Sequence, residues 1–264
     1  MAQPRVLILR APGTNCDGEA VHAFERAGGL VERWHVNQLL AAPAKLAGFQ
    51  ILCLPGGFSY GDDIAAGRIL ANQIRQRLAE QLQEFKAQGK LILGICNGFQ
   101  VLLKSGVLLP SDAKGAAPAT LAWNDSGRFE DRWVPLATSG MRSVFFAGID
   151  RMYLPVAHAE GRFVPRDARA FAQLEAAGQL VLRYGSSPLS GSASLQPATA
   201  YPDNPNGSLG DVAGVCDETG RVCGLMPHPE RNIEPTHHPQ WTRRERGALG
   251  DGLRVFQNAV SYFG

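Results

Sequence analysis

No apolar run in these 264 residues is long enough to cross a bilayer, and none precedes the first strand-like segment at Arg5, so neither a membrane span nor a signal segment is expected. A net charge of +2 gives no basic footprint for nucleic acid. The five cysteines, an odd number without regular spacing, exclude a secreted disulfide framework and point to a reducing, cytoplasmic setting. There is no Gly-x-x-x-x-Gly-Lys-Ser/Thr loop with which to activate a substrate by ATP, and Gly56-Gly57 lacks the spacing of a dinucleotide site. Cys216 and Cys223, taken with His228, His237 and His238, fit no standard zinc spacing, so no metal site is expected. Neither repeats nor linkers interrupt the chain. With 45% hydrophobic and 19% charged residues it can bury one full core, and residues 1–264 read as a single domain.

What is present first is an α/β alternation. Arg5–Leu9, Leu30–Val36 and Gln50–Leu54 read as buried strands, with a short helix carrying Ala20, Val21, Phe24 and Ala27 between the first two. Leu70, Ile74, Leu78, Leu82 and Phe85 recur at helical spacing and predict one helix over 64–88. Such alternation implies a mostly parallel sheet flanked by helices. After Pro110 shorter β-like runs follow at 132–136, 152–156, 180–184, 211–216 and 221–226, and Leu253, Phe256, Val260 and Phe263 mark a closing helix. Cys216 and Cys223 fall in register across a hairpin turning at Thr219-Gly220, as two free thiols. The segments 186–197 and 234–252, rich in Ser, Pro, Gly and charge, read as low-order loops.

Two segments carry chemistry. In Leu91-Ile92-Leu93-Gly94-Ile95-Cys96-Asn97-Gly98-Phe99-Gln100 a strand pattern ends in Gly-x-Cys-x-Gly and a helical pattern begins at once, as in a nucleophile elbow. A helix N-terminus aims unpaired N–H groups at such a sulfur, which lowers a thiol pKa from ~8.5 and offers one donor to an oxyanion. The alternative is a buried structural cysteine. In Met226-Pro227-His228-Pro229-Glu230-Arg231 the prolines hold His228 extended, so that His228 and Glu230 project to one side as a base with its orienting acid. Read alone, the segment also suits a solvated turn.

Together with Leu54-Pro55-Gly56-Gly57-Phe58-Ser59-Tyr60-Gly61-Asp62-Asp63, these motifs resemble the class I (triad) glutamine amidotransferases, whose fold is flavodoxin-like. The Gly-Gly-Phe-Ser-Tyr-Gly-Asp-Asp run and Asn204-Pro205-Asn206-Gly207-Ser208 narrow the resemblance to the glutaminase component of phosphoribosylformylglycinamidine synthase, in purine biosynthesis. Arg10–Asp17, Asn124–Glu130 and Ala157–Phe163 match as well, so the likeness covers nearly the whole chain. It implies L-glutamine as substrate, Cys96 as nucleophile, His228 as base and Glu230 as its acid. It further implies Gly57 and Asn97 amides at the oxyanion, and Gln100 on the substrate unless that side chain turns to solvent. His158 reads either as a site or interface residue or as a structural histidine. No cofactor is expected on this chain; ATP and magnesium would belong to a synthetase subunit that receives ammonia. The segment Thr236–Gly252 with Trp241 is similar to the single-chain form of the synthase, which leaves open whether that partner is one large subunit or a smaller one with an accessory subunit. A flavodoxin-like cysteine hydrolase and an idle binding subunit are the rival readings of the elbow.

Overall fold

The computed structural model describes residues 3–139, 142–186, 196–197, 200–243 and 249–264. The first half runs β1 (Arg5–Arg10), α1 (Asp17–Arg26), β2 (Leu30–His35), α2 (Val36–Ala41), β3 (Ile51–Leu54), α3 (Arg68–Arg77), α4 (Ala79–Ala87), β4 (Leu91–Ile95) and α5 (Asn97–Ser105). It continues through β5 (Ala119–Ala122), β6 (Glu130–Thr138), β7 (Arg151–His158), β8 (Arg162–Pro165), α6 (Ala168–Ala176), β9 (Leu182–Ser186), β10 (Gln196–Pro197), β11 (Val212–Cys216), β12 (Val222–Leu225) and α7 (Leu253–Ser261).

One sheet runs in the order β2-β1-β3-β4-β12-β11-β9-β6-β7, with β10 paired to β9 at its side. The strands from β2 to β12 are parallel; β11, β9, β6 and β7 extend the sheet antiparallel. Val6, Leu7, Ile8 and Leu9 are all buried, as are Leu91, Ile92 and Leu93. Consecutive burial means that both faces of the sheet are covered, as a parallel sheet with crossover helices requires. On one face α1 meets α7 through an edge-on contact of Phe24 with Phe256, centroids 4.9 Å apart. The β11–β12 hairpin sets Cys216 opposite Cys223, and both are free and buried.

The single helix predicted over 64–88 is two. Residues 64–67 are not helical, Gly67 sits at φ +72° with its amide held by Asp62, and Leu78 (φ −129°, ψ 8°) separates α3 from α4. The apolar repeat continues through the break because Leu78 stays buried; periodicity records which face is covered, not whether the axis is continuous. Arg75 and Arg77 in the last turn of α3 and Glu80 in the first turn of α4 are the charge signals of a boundary there. Strands β5, β8 and β10 and helices α2 and α6 are further elements that the apolar pattern did not reveal. Of the two expected loops, residues 187–195 and 244–248 lie outside the described residues.

Candidate active site

Cys96 follows the last residue of β4 and precedes α5, with φ +51° and ψ −106°. A side chain at positive φ is strained and persists only where its surroundings hold it. Here the Cys96 amide donates to Leu225 O at 2.7 Å, tying the elbow to the end of β12. The flanking glycines are required by space: a Cβ on Gly94 would lie 2.6 Å from Leu102 Cδ1, and one on Gly98 would collide with Leu54 O. The Cys96 thiol faces Ala157 O at 3.7 Å. As the first residue of α5, Asn97 has a backbone amide with no partner within its own helix.

His228 arrives from the end of β12, its amide donating to Pro155 O at 2.8 Å. His228 itself is non-helical, at φ −105° and ψ 89°, and Pro229–Arg231 after it forms one turn of 3₁₀ helix. Proline at the first helical position has its φ preset for such a turn. The turn still brings Glu230 back onto His228, Nδ1 donating to Oε1 at 2.6 Å, with both residues buried. Burial acts to lower the imidazole pKa; the Glu230 carboxylate and the Cys96 and Cys16 sulfurs outweigh it and hold His228 well above its usual value. Among the described residues, Nε2 of His228 and Oε2 of Glu230 are buried without hydrogen-bond partners, so the imidazole presents its free edge to the sulfurs.

Gly56 is the floor on which these groups meet. A Cβ there would stand 2.8 Å from His228 Cε1, 3.2 Å from Cys16 Sγ and 3.4 Å from Cys96 Cβ. Cys16 is thus a second thiol against the same imidazole. Its sulfur accepts from Arg231 Nη2 at 3.1 Å, and burial raises its pKa, partly offset by His228.

Gly57, at φ +128°, bridges Thr14, with the hydrogen bonds of the bridge running through Phe58 N and Gly56 O. From there Tyr60, Gly61 and Asp62 are all left-handed, at φ +56°, +71° and +54°. Asp62 accepts from Asn97 Nδ2 at 3.0 Å and from Gly67 N at 3.1 Å, and burial raises its pKa. Gln100 does not turn to solvent. It is 3% exposed, accepting from Asn97 Nδ2 at 3.0 Å and donating to Glu160 O. Glu160 itself is held by Lys104 Nζ at 2.5 Å and Ala66 N at 3.0 Å.

A cleft of about 350 Å³ opens onto this centre, walled by Cys96, Gly57, Gln100, Asp62, His158 and Glu160. That volume suits a small polar metabolite. The structure therefore brings together Cys96, His228, Glu230, Gly57, Asn97 and Gln100, six residues from three separate stretches of sequence. Cys16, Arg231, Asp62 and Glu160 join them without having been singled out; their signal was only that they stand inside or beside the motif stretches.

Residues 3–263 match the model of the CobB/CobQ-like glutamine amidotransferase domain. A phosphoribosylformylglycinamidine synthase subunit PurQ from Dehalococcoides mccartyi is 46% identical over 263 residues, covering 99% of this chain and 98% of the relative. Another from Methanococcus maripaludis is 41% identical, covering 98% and 97%. Among solved structures, a chain from the PurLQS structure of Thermotoga maritima superposes with a TM-score of 0.71 at 32% identity, each chain covered completely. A Thermotoga maritima glutamine amidotransferase at 16% identity and TM-score 0.54 shares the fold. With its elbow thiol, buried His–Glu pair and full-length match to these relatives, the chain belongs to the glutamine amidotransferases, among the PurQ subunits of phosphoribosylformylglycinamidine synthase.

Proposed function

We propose that this chain hydrolyses L-glutamine and delivers the ammonia to a synthetase subunit of phosphoribosylformylglycinamidine synthase. The observation that carries the reading is Cys96 at a strained elbow, with the buried His228–Glu230 pair meeting it over Gly56. The Cys96 thiol passes its proton to His228 Nε2 while sulfur attacks the carboxamide carbon. Amides of Gly57 and Asn97 hold the oxyanion. His228 returns the proton to nitrogen as the C–N bond breaks, ammonia leaves, and a thioester remains. His228 then deprotonates water, which attacks the thioester and releases glutamate. Glu230, accepting from Nδ1, fixes the tautomer that leaves Nε2 free for both transfers. Gln100 and Asp62 shape the cleft for the amino-acid end of the substrate.

The chain acts as one amidotransferase unit in the cytoplasm, without a metal or cofactor of its own; ATP, magnesium and formylglycinamide ribonucleotide belong to the synthetase, with or without a small accessory subunit. Phe58, Ile64 and Trp123 stand 45%, 67% and 62% exposed at the mouth of the cleft, an apolar rim for that subunit to cover. In the assembled enzyme, Cys96→Ser should abolish synthesis from glutamine and leave synthesis from ammonium salt. Equal loss of both would mean that this chain takes part in the synthetase step.

A further inference from the structure

Three motif stretches play no part in the mechanism above, 124–130, 157–163 and 204–208, and in the structure they meet in one buried network around His158. Asn124 is its hub. Its Nδ2 donates to His158 O at 2.8 Å and to Arg128 O at 2.9 Å, while its Oδ1 accepts from Gly161 N at 3.2 Å and lies 3.1 Å from His158 Nδ1. Asn206 braces the far side, donating to Gly161 O at 2.9 Å and accepting Ser208 Oγ at 2.7 Å. Gly161 leaves the ring its space, since a Cβ there would fall on the imidazole.

With Nδ2 of Asn124 committed to two carbonyls, its Oδ1 can only accept, so His158 Nδ1 carries the proton. Nε2 is then a bare lone pair, and it is buried without a partner among the described residues. Protonation offers no relief: burial, and after it the charge of His228, hold the His158 pKa down at about 3. The ring stands in the wall of the cleft, one residue after the carbonyl that faces the Cys96 thiol. An unpaired buried acceptor is costly, and a site retains one where a ligand supplies the donor.

We propose that His158 Nε2 accepts an N–H of the glutamine carboxamide and so selects glutamine over glutamate. The inference rests on the glutaminase reading. A carboxamide brings two N–H donors to that lone pair; a carboxylate brings only lone pairs of its own, so the product is repelled where the substrate was held. As the C–N bond breaks, the nitrogen takes its proton from His228, and the ammonia formed still donates to Nε2.

The test compares glutamine with the γ-methyl ester of glutamate, which forms the same thioester but has no N–H on its leaving group, using the full chain with its synthetase. His158→Phe should lower kcat/KM for glutamine by ~30-fold or more, in line with loss of a buried hydrogen bond, and for the ester by less than about 3-fold. His158→Gln, which keeps an acceptor, should recover part of the glutamine rate. In His158→Phe the diazo-ketone analogue of glutamine, also without an amide, should label Cys96 at the wild-type rate, and glutamate should inhibit more tightly. Equal losses on both substrates, or slowed labelling in both variants, would make His158 structural and overturn the proposal. A wild-type enzyme that cleaves neither substrate would instead overturn the glutaminase reading itself.

Discussion

Two thiols flank one imidazole, and their surroundings differ. Cys96 lies at a helix N-terminus on the cleft, whereas Cys16 is 1% exposed, its pKa is raised by burial, and its sulfur is engaged by Arg231. A glutamine-mimicking diazo-ketone should therefore modify Cys96 alone, as read by peptide mapping; label on Cys16 would reverse the assignment. On the proposed mechanism His228 and Glu230 should differ in weight, because losing the base would remove both proton transfers while losing the acid would loosen only the tautomer. In the same complex, His228→Ala should lower the glutaminase rate more than Glu230→Gln, and the opposite order would exchange their roles. His158 makes a separate prediction about stability. Unfolded, it binds a proton below pH ~6.5; folded, it stays neutral down to about 3. Between those values the unfolded chain holds more protons, so folding stability rises with pH and on acidification falls by about 1.4 kcal/mol per pH unit from this group. Urea titrations from pH 6.5 to 4 should show a steeper loss for the wild type than for His158→Gln, and parallel slopes would contradict the buried neutral imidazole.

At the scale of elements, the site is built where β4, β12 and the loop after β3 end side by side. The elbow was legible because its glycines are forced by contacts intrinsic to a strand–turn–helix: Gly98 abuts β3 and Gly94 abuts α5. The Pro-His-Pro-Glu run signalled the contact of His228 with Glu230, and the 3₁₀ turn that begins after His228 was not visible in it. Gln100 was legible as a residue but not in direction, because its burial depends on Glu160, which arrives from another part of the chain. Cys16 was illegible for the same reason. In the loop after β3, Gly56 and Gly57 sit where a Cβ would strike His228 or Asn15, and the non-glycine residues at positive φ are Tyr60 and Asp62. Gly56→Ala should leave the chain folded, with a circular dichroism spectrum like the wild type, and lower kcat by ~10-fold or more through displacement of His228. Unchanged kcat would show that the imbalance is absorbed elsewhere.

At the scale of the molecule, the cleft opens through an apolar rim that continues into Phe129, 49% exposed and stacked on Phe58 with centroids 6.4 Å apart. An exposed patch of this kind marks an interaction surface. Phe129→Asp should weaken association with the synthetase by ~10-fold or more in a titration while leaving the glutaminase rate of the isolated chain unaltered, and an unaltered affinity would move the interface elsewhere. The synthetase should in turn raise the glutaminase rate by at least ~10-fold by seating the loop after β3; equal rates with and without it would mean a preformed oxyanion hole. The sheet has one further property. Its parallel half is completed by β12, which inserts between β4 and β11 although it is the last strand to be made among the described residues. A nascent chain, growing at ~5–20 residues per second, thus carries Cys96 for several seconds before His228 exists, and β4 waits with an unpaired edge. On the roles proposed above, translation order itself keeps the thiol and the imidazole apart until β12 and the segment after it have been made.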